Sequence, residues 1–214
     1  YNAALYHESY FRLGRLLLTA GVRIDHEGNF MNYDSRADVN FILSPSMKEP
    51  YLLHTRYEGS ISNFYFQVLP KISALYRIGE SGDKFSGQVF ATVSKGYKSG
   101  GFNTQIFSDI LQNKMMTDMM GALGVHLDSE GEGPDAGNTT YKPETCMNYE
   151  AGVRLAFNGG GHRLTAALSA FYLQCRNQQI TVFPPGKSTG RMMANAGRSR
   201  SCGIEAELSW RWKG

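Results

Sequence analysis

Apolar and polar side chains alternate with a period of two along residues 145–157. The first set ends in an aromatic residue and consists of Met147, Tyr149, Ala151, Val153, Leu155 and Phe157. The second set consists of Asn148, Glu150, Gly152, Arg154 and Ala156. Because successive side chains of a strand point to opposite faces, we predict a β-strand with one apolar and one charged face. Both a membrane β-barrel and a soluble β-sandwich contain such strands.

Six further segments have strand character, and one segment favours a helix. The strand segments are residues 3–11, 16–26, 64–78, 88–97, 163–180 and 193–212. Helix-forming residues, with four methionines, occupy residues 109–122. We interpret the polar residues 27–63, with their prolines, as a long loop. Short alternating strands with many glycines and aromatics predict an all-β fold.

The predicted connections alternate between short and long. In chain order they hold four, about 37, about nine, about 45, four to five and about 12 residues. A sandwich gives no reason for this rhythm, whereas membrane barrels have short periplasmic turns and long external loops. The predicted strands also reach the ~9–11 residues that a strand needs to cross a bilayer. The loop rhythm therefore favours an antiparallel transmembrane β-barrel.

Composition narrows the class further. The 214 residues are 42% hydrophobic and 19% charged, which is not a disordered composition. No apolar run reaches the ~18 residues of a spanning helix. The mean hydropathy of −0.34 is compatible with a membrane barrel, because only alternate strand residues need be apolar. The net charge of +3, without a dense basic cluster, gives no reason to expect nucleic acid as a partner.

The sequence offers no catalytic or metal-binding constellation. The five histidines, at positions 7, 26, 54, 126 and 162, form no i,i+4 pair. Residues 94–101 lack the spacing of a phosphate-binding loop, and the acidic residues 128–135 fail the EF-hand template. We therefore expect no enzyme activity and no cofactor. We expect Cys146, Cys175 and Cys202 to be inert thiols, buried or facing lipid.

Five segments in order resemble the TonB-dependent outer-membrane receptors. They are ALYHESYFRLGRLLLTAGVRID (residues 4–25), LPKISALYRI (69–78), VSKGYKSGGFN (93–103), YKPETCMNYEAGVR (141–154) and NAGRSRSCGIEAEL (195–208). The resemblance implies a 22-stranded barrel with a plugged lumen in the outer membrane of a Gram-negative cell. Seven strands are about a third of such a barrel. We expect residues 1–214 to be a partial barrel, without the plug domain and the C-terminal strands.

The family resemblance also implies a function for the parent protein. Such receptors import scarce nutrients, most often ferric siderophores, with energy from TonB acting through the plug, and outer-membrane lipid surrounds the barrel. Two alternatives remain open at this point. One is a soluble β-sandwich or small-barrel binding module, and the other is a TonB-dependent receptor for a glycan or another metal complex.

Four basic residues are the candidate ligand-binding residues of the lumen. If the predicted registers hold, Lys71, Arg77, Lys98 and Arg154 face inward, where they would attract an anionic ferric chelate. They would equally form a structural ladder with acidic residues, and we favour the ladder. The predicted acidic partners are Glu150, Glu205 and Glu207. The methionines of residues 115–120 would contact ligand or, as we favour, pack a loop helix.

Overall fold

A computed structural model describes residues 1–42, 48–80, 83–125, 139–183 and 191–212. The long strands are β1 (Asn2–Leu13), β2 (Leu16–Phe41), β3 (Tyr51–Ile78), β4 (Phe85–Lys98), β7 (Glu144–Gly159), β8 (His162–Val182) and β9 (Met192–Trp212). The short elements are β5 (Gly101–Phe102), α1 (Ile106–Ala122) and β6 (Thr140–Tyr141). No described helix is both long enough and apolar enough to cross a membrane.

The seven long strands form one antiparallel sheet in the order β1-β2-β3-β4-β7-β8-β9. Each long strand pairs with the next long strand in the chain, and within the described residues β1 and β9 are the open edges. The prediction of an all-β, antiparallel sheet of seven strands is confirmed. The prediction did not include β5 and β6, which pair with each other, because two residues are too few to show alternation.

Short and long connections alternate between the two ends of the sheet, but the second connection, residues 42–50, is much shorter than the predicted length of about 37 residues. The turn between β1 and β2 contains Gly14 with φ 58°, and the turn between β7 and β8 contains Gly160 and Gly161 with φ 59° and 80°. These positive φ angles favour glycine, which has no Cβ. The connection from β4 to β7, which contains α1, leaves from the opposite end. The sequence 128–135, interpreted as a solvated acidic loop, lies outside the described residues.

Strands β2 and β3 are much longer than predicted. They hold 26 and 28 residues and pair continuously from Leu16↔Tyr76 to Phe41↔Tyr51. The predicted loop over residues 27–63 is therefore wrong, because most of it is the upper part of this hairpin. Polar residues dominate there, and the sequence pattern alone does not distinguish a strand in water from a loop.

The two faces of the sheet have opposite chemistry. The outer face, defined as the side that carries Ile72, exposes large apolar side chains at every strand. Examples are Leu5, Val22, Phe64, Ile72, Val89, Val93, Phe157, Leu168, Ile204, Leu208 and Trp210, each at least 38% exposed. The inner face, which carries Lys71, is polar. An exposed apolar patch of this extent marks a surface that contacts something other than water.

Cysteines 146 and 175 form a disulfide between β7 and β8. The two residues are direct cross-strand partners, and their Cα atoms lie 4.1 Å apart. The prediction of three inert thiols is therefore wrong for this pair, because strand register brings together residues 29 positions apart. Cys202 is a free, exposed thiol.

Candidate ligand-binding face of the sheet

One row of residues crosses the inner face near the short-turn end. Strand register aligns Arg77 with Gln88, Gln88 with Arg154, Arg154 with Ala167, and Ala167 with Glu207. Because neighbouring strands lie ~4.8 Å apart, the backbones of Arg77 and Arg154 are roughly 10 Å apart. Basic residues thus occupy one half of the row and an acid occupies the other.

The row lies in an open concavity of about 1310 Å³. Its charged lining residues are Arg15, Arg77, Glu80, Glu150, Arg154, Glu205 and Glu207. Across the described residues, neither Arg77 nor Arg154 forms an ion pair with any of these acids.

The favoured ladder with Glu150, Glu205 and Glu207 is therefore wrong. Glu205 and Glu207 lie on β9, two strands away from Arg154, and Glu150 lies four residues along the strand of Arg154 itself. Direct cross-strand neighbours are the pairs that interact closely in a sheet, and none of these acids is such a neighbour of Arg154. The charges remain available to another molecule.

Lys71 has a different partner from the predicted acids. Its Nζ lies 3.7 Å from Oε1 of Glu8, although β2 separates the two strands that carry these residues. Gly21 is aligned with both residues and carries no side chain that could stand between them. A glycine in the middle strand thus permits an ion pair across three strands.

Aromatic rings lie flat on the inner wall where a glycine faces them. Phe90 is the direct partner of Gly152, and a Cβ at Gly152 would lie 2.8 Å from Cζ of Phe90. Phe171 covers Gly203 in the same way at 2.7 Å. The guanidinium of Arg154 lies 5.6 Å from the centroid of Phe90, within the range of a cation–π contact. The ring therefore holds Arg154 along the wall.

The segment after β4 turns inward and crosses the inner face of β3. Ser99 Oγ donates a hydrogen bond of 2.6 Å to Glu27 Oε1 on β2, although β3 lies between them. The hydroxyl of Tyr65 on β3 donates to the carbonyl of Tyr141 at 3.1 Å. The ends of the longest connection are thus fastened over the inner side of the sheet rather than away from it.

Helix α1 packs against the inner side of the upper β2–β3 hairpin. Phe107, which is buried, has its ring 4.7 Å from that of Tyr33 and 6.5 Å from that of Tyr57. Thr55 donates a hydrogen bond of 3.0 Å to Asp118. The predicted helix is confirmed, beginning three residues earlier than the predicted segment, and Phe107 and Ile110 provide its buried contacts.

Carboxamide side chains tie this loop to β8 and β9, and two of them make the paired donor and acceptor contacts of neighbouring strands. Asn103 Nδ2 donates to the carbonyl of Met193 at 2.8 Å, and its Oδ1 accepts from the Met193 amide at 2.6 Å. Asn195 makes the same two-way contact with the backbone of Lys142, at 2.9 and 2.7 Å. Gln179 donates to the carbonyl of Ser99 at 2.6 Å. These amides satisfy backbone groups that the loop would otherwise leave unpaired.

One cluster in the described part of the chain has metal-ligand residue types. Glu144, Cys146 and Cys175 place their donor atoms within 4.8 Å of one another. The two sulfurs are bonded to each other, so the cluster has no free thiolate of the kind that binds metals. We therefore do not assign a metal site there.

The similarity of the chain to known proteins decides what kind of sheet this is. The family model for the β-barrel of TonB dependent receptor-like proteins matches residues 1–214. The chain belongs to the TonB-dependent receptor β-barrel family. The soluble β-sandwich or small-barrel module is thereby excluded, and the chain lies in the outer membrane of a Gram-negative cell. The apolar outer face is the lipid-facing wall, and the inner face lines the lumen.

Two solved receptors share the fold. The structure of a double mutant of the Serratia marcescens hemophore receptor HasR, with its hemophore HasA and heme, aligns with a TM-score of 0.55 and 14% identity. The ferric yersiniabactin uptake receptor FyuA from Yersinia pestis aligns with a TM-score of 0.54 and 22% identity. The alignments cover 98% and 99% of this chain but 32% and 24% of those chains. No curated protein matches the chain.

The receptor wall spreads the four predicted ligand-binding residues along its height. Lys71 and Arg77 are six residues apart on β3, roughly 20 Å at the usual strand rise. Lys98 ends β4 opposite Glu144, ten residues above Gln88, which is roughly 33 Å along the strand. The fold brings together only Arg77 and Arg154. Their role as ligand-binding residues stays a prediction.

Sequence reasoning missed several residues at this face. Arg15 lines the concavity beside Arg77, whose amide donates to the Arg15 carbonyl at 3.0 Å. The carboxamide contacts of Asn103 and Gln179 were also missed. A turn arginine and two amides have no periodicity of their own, so only the register of distant strands reveals them.

Proposed function

We propose that the receptor containing this chain imports an anionic iron chelate of the ferric siderophore class through the lumen that the inner face lines. The supporting observation is the set of unpaired basic groups on that face. Arg77 and Arg154 lie in one row and form no ion pair among the described residues. Three arginines and four glutamates line the concavity, so the attraction for an anionic ligand is local to the half of the row that carries Arg77 and Arg154.

The basic residues form a path rather than one pocket. Lys98 lies at the end of the wall from which the long loops leave, Lys71 lies at mid-height, and Arg77 and Arg154 lie near the short turns. A ligand moving inward would meet them in that order. A series of weak sites suits transport better than one tight site, because a weakly bound ligand can be released to the next site. TonB would supply the energy through the plug domain.

Uptake of radiolabelled iron by the full-length receptor tests this function. A host without its own siderophore receptors would express the receptor under iron limitation and be offered a panel of ferric siderophores. The double variant Arg77→Gln and Arg154→Gln should slow uptake at equal receptor abundance. Gln88→Ala, in the same row, removes no charge and should leave uptake unchanged. Absence of uptake for every iron chelate would refute the proposed substrate class.

A second candidate is a receptor for glycans. The rings of Phe90 and Phe171 on the lumen wall favour it, because both are half-buried and an accessible ring face can stack against the apolar face of a sugar. The two solved receptors favour iron instead, since HasR is seen with a hemophore and heme and FyuA takes up ferric yersiniabactin. Growth on an oligosaccharide as sole carbon source, lost in Phe171→Ala but retained in the arginine double variant, would favour the glycan.

A further inference from the structure

The hairpin formed by β4 and β7 is interrupted at one height and then resumes. The two strands pair as far as Lys98↔Glu144, and β5 and β6 continue the same alignment at Gly101↔Tyr141. Two residues on each strand lie between these pairs and form no ladder pair. The short elements β5 and β6 are therefore the upper end of the β4–β7 hairpin, which we call the bent segment.

The bent segment begins over the inner face of β3. Strand register aligns Glu27 of β2 with Tyr65 of β3, yet Ser99, which follows β4, donates a hydrogen bond of 2.6 Å to Glu27. Gly100 lies against the ring of Tyr65, because a Cβ on this glycine would be 2.6 Å from Cζ of the ring. The chain that leaves β4 thus crosses in front of β3 on the lumen side instead of lying beside its edge.

Glycine and proline residues permit this bend. Pro143 has no backbone N–H and cannot continue the ladder of β7 upward. A Cβ on Gly101 would lie 2.6 Å from the hydroxyl oxygen of Tyr141, and a Cβ on Gly100 would meet the ring of Tyr65. A larger residue at either glycine would therefore push the bent segment away from the wall.

Side chains from both flanks hold the bent segment in place. Strands β2 and β3 hold one side through Glu27 and through the hydroxyl of Tyr65, which donates to the Tyr141 carbonyl. On the other side, Gln179 of β8 and Asn195 of β9 both donate to the Lys142 carbonyl, at 3.2 and 2.9 Å. Because neighbouring strands lie ~4.8 Å apart, the attachments from β2 to β9 span roughly 24 Å of the wall. A segment attached on both sides over this width has little freedom to swing aside.

The bent segment lies between the loop end of the wall and the deeper basic residues. Lys71 is six residues closer to the short turns than Tyr65, on which the bent segment rests, and Arg77 is six residues closer again. Thr140 of β6 is exposed, so its side chain is accessible from the lumen. A ligand that enters from the loop end therefore passes the bent segment before it reaches Lys71.

We propose that the bent segment is a rigid constriction that limits the size of the chelates reaching the lumen, with Gly100, Gly101 and Pro143 as its positioning residues. The inference rests on the proposed function only in taking the loop end as the entrance. A segment attached on both flanks narrows the lumen by a constant amount, whereas a loop attached on one side would move aside for a bulky ligand. Compact chelates pass Thr140, and bulkier ones are held above it.

Thiol labelling of the full-length receptor in intact cells tests the constriction without any ligand. Ser94→Cys, in a Cys202→Ser background, places a reactive thiol on the inner face, five residues before Ser99 on β4. Ser60→Cys in the same background is the reference, because it lies on the outer face of the upper hairpin and is exposed. The labelling rate of N-ethylmaleimide relative to a polyethylene glycol maleimide should be about tenfold larger at Ser94→Cys than at Ser60→Cys, because the constriction adds to the barrier for the bulky reagent.

Variants of the attachments should change this preference in opposite directions. Gln179→Ala with Asn195→Ala releases one flank, and the preference for the small reagent should fall about tenfold, as expected when several hydrogen bonds are lost. Thr140→Trp adds bulk to the bent segment and should raise the preference. Asn158→Ala is the matched control, because it removes a carboxamide contact of 3.2 Å to the Asp83 carbonyl at the short-turn end.

The outcomes separate this proposal from the proposed function. Equal preference at Ser94→Cys and Ser60→Cys would overturn the constriction, and so would an unchanged preference after release of the flank. Failure of N-ethylmaleimide to label Ser94→Cys would make the plug the barrier and would also overturn it. Each variant should show the same mobility difference between heated and unheated samples in gel electrophoresis, which reports a folded barrel. Absence of iron uptake with the labelling preference intact would refute the substrate class alone.

Discussion

Replacing Asn103 with alanine is expected to release the beginning of β9 from the loop that covers the lumen. Asn103 is 6% exposed, and its side chain joins the residue after β5 to the second residue of β9. Its amide nitrogen donates to the carbonyl of Met193 and its oxygen accepts from the amide of Met193, at 2.8 and 2.6 Å. Alanine removes both contacts at once.

The expected cost follows from these two hydrogen bonds. Each contributes about 1 kcal/mol net, so the local opening free energy at Met193 should fall by about 2 kcal/mol. A loss of that size corresponds to a roughly 30-fold increase in the opening equilibrium. Water can solvate the half-buried Met193 backbone after the change, so the larger penalty for a fully buried orphan group does not apply.

Amide hydrogen exchange of the full-length receptor in nanodiscs measures this opening. The peptide that contains Met193 should exchange roughly 30-fold faster in the Asn103→Ala variant, in line with the lost free energy. Asn29→Ala is the matched control, because its single hydrogen bond to the Gly100 carbonyl is 3.4 Å long and should contribute little. Unchanged exchange at Met193 would refute the reasoning, and so would equal acceleration throughout β2 and β3.

Three further predictions concern the wall, the disulfide and the upper hairpin. Gly152→Ala should lower barrel stability by about 1–3 kcal/mol in urea unfolding, because its Cβ would lie 2.7 Å from a backbone carbonyl oxygen, whereas Gly96→Ala has open space and should not. Removing the disulfide by Cys146→Ser or by Cys175→Ser should each lower stability by about 2–4 kcal/mol, and a reductant should lower the wild type equally. Hydrogen bonds from two arginines hold the pKa of Asp34 well below its usual range, so carboxyl NMR titration should find Asp34 still ionised at pH 3, where an ordinary aspartate, with a pKa of about 3.9, is mostly protonated.

The outcomes that contradict these predictions are distinct. Equal stability of the Gly152 and Gly96 variants would show that the sheet accommodates the added methyl group at Gly152 without loss of stability. A reductant effect that persists in a cysteine variant would show that it acts elsewhere. For Asp34 the sign is that of a depressed pKa: the stabilisation by its ion pairs is present at neutral pH and is lost only as pH falls through the folded value. Titration of Asp34 at an ordinary carboxyl pKa would refute the ion pairs.

The local pattern of the chain determined the strands inside the bilayer and the turns that join them. In residues 145–157 alternate side chains face lipid and lumen water, so apolar and polar residues alternate with a period of two. Glycines that need positive φ mark the tight turns at Gly14 and Gly160. Five motifs in the family's order were sufficient to identify the family, because the strands that carry them must suit lipid on one face and water on the other.

Only the tertiary structure decided which distant residues meet. The extension of β2 to Phe41 depends on pairing with β3. Residues 27–41 are mostly polar because water surrounds them, so the sequence of this segment alone does not indicate a strand. The Cys146–Cys175 disulfide and the Asn103–Met193 contact depend on register between strands far apart in the chain. Separation of Lys98 from Arg154 along the wall depends on the same register. A residue type states what contacts are chemically possible, whereas the hydrogen-bonded alignment of the strands selects the contacts that form.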